Sequence, residues 1–208
     1  MHISDGVLPA SVSIAGFAAT AVIAAWSARK TRAEDLPKIA IVTSAFFVAS
    51  LISVPIAVTS IHLLLPGLVG ILLGRSAFLS VTVGVALQSL LFQMGGITAI
   101  GVNSVMMGAP ALLCAGLFQL LRGRTLARHI IAGALSGGLG VIMAALLLVF
   151  FLCLSGEDFL GVAKIAVLWH LVVAAIECAI SAFTVSFLYK VKPDALNVPL
   201  SSLTENRA

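Results

Sequence analysis

The chain has 208 residues, 61% of them hydrophobic and only 10% charged, with a formal net charge of +4. Soluble domains carry about 45–50% apolar and about 25% charged residues, so this chain cannot cover a water-facing surface and is read as an integral membrane protein. No acid-rich or base-rich block occurs, so the net charge does not point to nucleic acid and none is expected as a partner, and Cys114, Cys153 and Cys178 stand singly in apolar runs without metal-type spacing.

The first feature in chain order is the opening "MHISDG", with a histidine as second residue. No basic segment precedes the first apolar run and no small-residue cleavage site follows it, so a removable leader is not expected and Met1 is taken as the N-terminus. A helix needs about 20 apolar residues to cross the hydrocarbon core. Candidate spans fall at 7–28, 39–59, 61–74, 77–93, 103–121, 130–155 and 160–189, the third short and the last long. The expectation is an all-α membrane protein of about seven transmembrane helices. Residues 1–192 would form one transmembrane domain and 193–208 a polar tail.

Charge orients these spans. With the N-terminus outside, Arg29, Lys30, Arg32, Lys38, Arg75, Arg122, Arg124, Arg128, Lys190, Lys192 and Arg207 all fall inside. Lys164 alone falls outside, beside Glu157 and Asp158. The positive-inside rule therefore predicts N-out and C-in in a multi-pass cell-membrane protein. Gly133, Gly137, Gly140 and Ala144 recur at i, i+4, i+7 and i+11, a stripe of small residues suited to close helix packing.

Ionisable groups inside spans are costly and mark function by default. Of four histidines, His129 belongs to the inner side. His2, His62 and His170 fall in the outer half, with Glu177 seven residues after His170 on the same helical face. For Glu177 the readings are a buried structural carboxyl or a working group; for His170, packing or ligation. Position two gives His2 a special chelate. The Met1 α-amine, the His2 amide nitrogen and the His2 imidazole Nδ1 can bind one cation in adjacent five- and six-membered rings. One more imidazole, such as His62, would complete a square of nitrogens. Square-planar nitrogen sites favour Ni(II) or Cu(II), whereas Zn(II) prefers a tetrahedron.

"MHISDGVL" resembles the opening of the CbiM/NikM family, the cobalt/nickel substrate-capture subunits of energy-coupling-factor (ECF) type ABC transporters. "TSIHLLLPGLVGILLGRSAF", "LLFQMGGITAIGVNSVMMGAPALL" and "HLVVAAIECAISAFTVSFLYKVKP" are similar to that family's later signatures, in the same order. The resemblance implies a six-helix core plus an extra N-terminal helix. It implies Met1, His2 and His62 as metal ligands, with Asn103 in support or capping the fifth helix, and Asp5 orienting an imidazole or capping the first. His170 and Glu177 are further supporting candidates. It implies import of Co2+ or Ni2+ as substrate, the cobalt importers serving cobalamin biosynthesis, with no permanently bound cofactor. The implied partners are a membrane coupling (T) subunit, two cytoplasmic ATPase subunits and in some systems a small accessory membrane subunit. The chain departs from the family pattern at Met94, Met106 and Pro66.

No phosphate-binding G-x-x-x-x-G-K-[ST] loop is present, so ATP hydrolysis would belong to partners and the chain itself is read as a transport subunit, not an enzyme. The rival readings are an unrelated permease or channel using His170 and Glu177 as an ion or proton relay, and an intramembrane metalloenzyme, for which four nitrogens in a plane leave little open coordination.

Overall fold

The computed structural model describes residues 2–56, 59–156 and 160–196. Met1, Glu157, Asp158 and the tail from 197 onward lie outside the described residues. Seven α-helices follow in chain order: α1 Ala10–Arg29, α2 Leu36–Leu51, α3 Pro66–Leu73, α4 Ala77–Phe92, α5 Ile100–Leu121, α6 Leu126–Ser155 and α7 Leu160–Val191. Two short strands, β1 Ser53–Ile56 and β2 Thr59–His62, stand between α2 and α3 as an antiparallel hairpin with Ser53 opposite His62. Among the described residues, five helical stretches are long and apolar enough to cross a membrane: Ala10–Arg29, Pro66–Phe92, Ile100–Leu121, Leu126–Ser155 and Ala163–Val191. The fold is that of a multi-pass helical membrane protein. Its apolar surface points outward as well as inward, with Leu120 and Phe183 82% and 75% exposed.

Two expected spans change shape, and proline accounts for both. The run 39–59 stops being helical at Leu51, and Ser53–Ile56 is extended. Pro55 has no N–H for a helical bond and biases the residue before it to extended backbone. Its neighbours Val54 and Ile56 favour a strand. The run 61–74 begins as strand and becomes helix only at Pro66, whose fixed φ and missing N–H suit the first position of a helix. The resulting α3 has eight residues, about 12 Å of helix, and cannot cross a bilayer alone. His62 therefore ends a strand and does not stand on a helix.

The turn Gly74–Ser76 joins α3 to α4 and sits at the C-terminal end of α1. There Ser27 donates to the Arg75 carbonyl at 2.7 Å, and Thr31 pairs with Ser76 at 2.8 Å. At the other end of the bundle α4 carries Gln88 to the N-terminal segment. So α4 runs the length of α1 in the opposite direction, while α3 fills only the half nearer Arg75. The β-hairpin fills the half nearer His2.

Behind these elements lies the core, built from Leu64, Val69, Val81, Val85, Met106, Met107, Ala111, Val141 and Ala144. The small-residue stripe of α6 serves two neighbours. A Cβ at Gly137 would meet Ser181 of α7, and one at Gly140 would meet Gly67 and Pro66 of α3. Beyond α7, a short 3-10 turn at Pro193–Leu196 docks on the bundle, although the sequence assigns it to the tail. Leu196 is buried, and the carbonyls of Ala195 and Leu196 accept from Lys38 and Arg122.

Candidate metal-capture site

Residues 2–8 lie on the end of the bundle opposite Arg75, and three contacts hold them. Asn103, fully inside the protein on α5, pairs with Ile3 through both atoms of its side-chain amide. Ile3 N donates to Oδ1 at 2.9 Å, and Nδ2 donates to Ile3 O at 3.0 Å. The amide thus satisfies a buried backbone residue as a neighbouring strand would. It does not cap α5: the helix begins at Ile100, and the Asn103 backbone N–H already bonds Ala99 O.

Asp5 makes the second contact, accepting from Thr98 N at 2.8 Å, Thr98 Oγ1 at 2.5 Å and Ile97 N at 3.1 Å. The Thr98 hydroxyl and amide hold its carboxyl below the usual carboxylate range. Among the described residues, Asp5 thus ties the N-terminal segment to the 97–98 loop. It neither caps α1, whose N-cap is Pro9, nor reaches an imidazole.

The third contact is Gln88, whose Oε1 lies 2.9 Å from His2 Nε2. Its side-chain nitrogen donates in turn to Ser50 at the end of α2. Between these contacts the loop before α5 curls over the segment. Gly95 and Gly96 have φ of +92° and +79°, conformations that side-chain-bearing residues rarely adopt. A Cβ at Gly95 would stand 2.6 Å from Asn103 Nδ2 and 2.9 Å from the His2 Cβ, and one at Gly96 would overlap the Asp5 carboxyl. Gly95→Ala is therefore expected to displace the N-terminal segment at a cost of about 1–3 kcal/mol. Hydrogen exchange at the Ile3 amide should accelerate about 5- to 150-fold with helical content unchanged; an unaltered Ile3 rate would show that the loop does not clamp the segment.

The His2 ring stacks on His62, with centroids 5.2 Å apart and planes 23° from parallel. His62 is buried at the end of β2, its Nδ1 3.0 Å from Leu63 O. Burial pushes the His2 imidazole down to about 3, so its ring is neutral at ordinary pH. Two residues beyond His62 the chain is anchored by Glu177 of α7. Its Oε1 accepts from Leu64 N at 2.5 Å and from Leu65 N at 2.9 Å. Leu65 has the unusual φ of +50° and immediately precedes α3. Glu177 therefore fixes the backbone bend that carries His62.

His170 is buried one stretch earlier on α7, within electrostatic reach of His62. Its Nδ1 lies 2.6 Å from Ala166 O in its own helix. His129 lies at the other end of the bundle against Tyr189 and Phe118, far from the pair. The structure thus brings together His2, His62, Asn103 and Asp5, hangs the His62 bend on Glu177, and leaves Met1 undescribed. Among the described residues no three His, Cys, Asp or Glu side chains meet as a metal cluster. Sequence reasoning missed Gln88 and Ser50. The signal available was a lone side-chain amide within the apolar run of α4.

The long apolar helices define a multi-pass membrane protein, with two stacked histidines at one end of the bundle. Residues 2–195 match the CbiM family model, described as "Cobalt uptake substrate-specific transmembrane region", and the chain belongs to that family. It is a membrane component of metal transport. It is 32% identical over 200 residues to a Haemophilus influenzae chain that carries a metal-transport name, a match spanning 95% of this chain and 97% of that one. It is also 31% identical over 221 residues to the fused nickel transport protein NikMN of Rhodobacter capsulatus, covering 94% of this chain and 64% of that longer protein. The fold is similar to that of a crystal structure of a transition metal transporter, with a TM-score of 0.79 and 27% identity over 92% of this chain and 93% of that one.

Proposed function

We propose that this chain captures Ni2+ or Co2+ with high affinity on the outer side of the cell membrane. It would act as the substrate-binding subunit of an ECF-type importer. The ligands in this reading are the Met1 α-amine, the His2 amide nitrogen, His2 Nδ1 and one His62 ring nitrogen. The observation that carries it is the His2–His62 pair. In a nitrogen square, His62 takes the corner opposite the amide and next to the His2 imidazole. With metal–nitrogen bonds of about 2 Å, imidazoles on adjacent corners have centroids about 4.5 Å apart, and this pair stands at 5.2 Å. The rings lie 23° from parallel and must turn for both lone pairs to meet at one ion.

Asn103, Asp5 and Gln88 hold the chelating segment in place, and Glu177 holds the bend beneath His62. Outer-shell contacts of this kind orient ligands. The proposed topology is N-out and C-in with seven crossings, the third made half by the β-hairpin and half by α3. Residues 1–192 form the capture domain and 193–208 the inner tail, its first turn docked. The chain has no nucleotide-binding loop, so a membrane coupling subunit and two ATPase subunits supply the energy.

Calorimetric titration of the untagged protein with Ni2+, Co2+ and Zn2+ tests this. Ni2+ or Co2+ should bind one to one and well above Zn2+; preference for Zn2+ would point to a tetrahedral site and overturn the square. The pH dependence has a definite sign. In the docked segment the His2 imidazole stays neutral, whereas a solvent-exposed imidazole titrates near 6.5. The undocked state therefore takes up more protons as pH falls below 6.5, and docking weakens towards acid. The amine and amide must also lose protons to bind metal, which acts in the same direction. Affinity measured from pH 7.5 to 5.5 is expected to fall at least about tenfold.

A further inference from the structure

The chelate needs the unprotonated Nδ1 of His2, and a neutral imidazole carries its one proton on either nitrogen. A chain of hydrogen bonds reaching back into α2 makes that choice. Ser50 donates its only proton to the Phe47 carbonyl at 2.8 Å. Its oxygen can then only accept, so the group facing it from Gln88 is the NH2. The amide oxygen of Gln88 is thereby turned towards His2 Nε2, at 2.9 Å. An oxygen can only accept, so Nε2 carries the proton and Nδ1 keeps its lone pair. Were Gln88 flipped, its NH2 would face Nε2 and select the tautomer with the proton on Nδ1, which cannot bind the ion.

The relay is well placed to hold this orientation. Ser50 and Gln88 are both fully buried on helices, so no competing water is needed to satisfy them. Phe47 and Ser50 share one turn of α2, while Gln88 stands on α4 and is 86 residues from His2 in sequence. We propose that Ser50 and Gln88 are positioning residues that set the His2 tautomer, so that the N-terminal chelate is preformed before the ion arrives. The proposal rests on the chelate reading for its purpose but not for its test.

The test is nitrogen-15 and carbon-13 NMR of His2 in the full-length untagged protein in nanodiscs, without metal, at pH 7.5. The parent is expected to hold its proton on Nε2. A hydrogen bond of ordinary net strength selects one tautomer about five- to tenfold. Ser50→Ala frees Gln88 to turn over and should raise the Nδ1–H form by about that factor, while Ser50→Thr, which keeps the hydroxyl, should restore the parent spectrum. Ni2+ affinity should then fall in proportion to the Nδ1-free fraction. Gln88→Leu should remove the preference altogether, and the Ile3 amide, still held by Asn103, reports whether the segment stays docked. A parent protein with the proton on Nδ1, or a Ser50→Ala spectrum identical to the parent's, overturns the relay. A shifted tautomer with unchanged Ni2+ affinity supports the relay and overturns the chelate, which separates the two failures.

Discussion

Acetylation of the Met1 α-amine is expected to lower Ni2+ and Co2+ affinity by at least about 10³-fold, or about 4 kcal/mol. In the proposed chelate it removes the nitrogen that closes the five-membered ring with the His2 amide, and it leaves the register of the segment unchanged. Ile3 stays clamped by Asn103 on both backbone atoms, Asp5 stays tied to the 97–98 loop, and the His2 ring stays between Gln88 and His62. The loss therefore reports the amine and not the docking. A tag on the far end of the chain, beyond residue 196, should leave affinity unchanged. Titration of the two forms checks this, and tight binding by the acetylated form would remove the N-terminal amine from the ligand set.

The second large effect lies at Glu177. Replacing it with leucine leaves the amides of Leu64 and Leu65 without their acceptor, in a region where both residues are buried and Glu177 itself is 0% exposed. Each buried, unsatisfied amide costs about 1–3 kcal/mol, so Glu177→Leu is expected to destabilise the protein by about 3–5 kcal/mol. The loss concentrates at a bend already in the left-handed region at Leu65. His62, two residues upstream of the first amide, should lose its fixed position, and metal affinity should drop with stability. Glu177→Gln keeps an acceptor oxygen and should retain most of both. Thermal unfolding in detergent and metal titration of the two variants make the comparison. Equal losses in both would show that the charge matters, and no loss in Glu177→Leu would show that the bend holds itself.

These outcomes bear on how much could be read from residues alone. Membrane residence and the extents of α1, α4, α5, α6 and α7 were legible, because composition and run length directly express the cost of placing chain in lipid. The pairing of His2 with His62 was legible in part, since charge asymmetry places both at one end of the bundle. The resemblance to the CbiM/NikM family and the matched family agree.

What the sequence determined, then, is the solvent of this protein and its five long helices. The tertiary structure decided the rest. Ser53–Ile56 and Thr59–His62 became paired strands and not helix, because proline and β-branched residues outweighed apolar run length. Asp5 went to the 97–98 loop and Asn103 to the Ile3 backbone, and Gln88 and Ser50 gained their roles. Each of these links joins residues that are between 38 and 100 positions apart. Local propensity carries no information about such partners. They are chosen only when the packed bundle buries a polar group and obliges it to find the one acceptor or donor within reach.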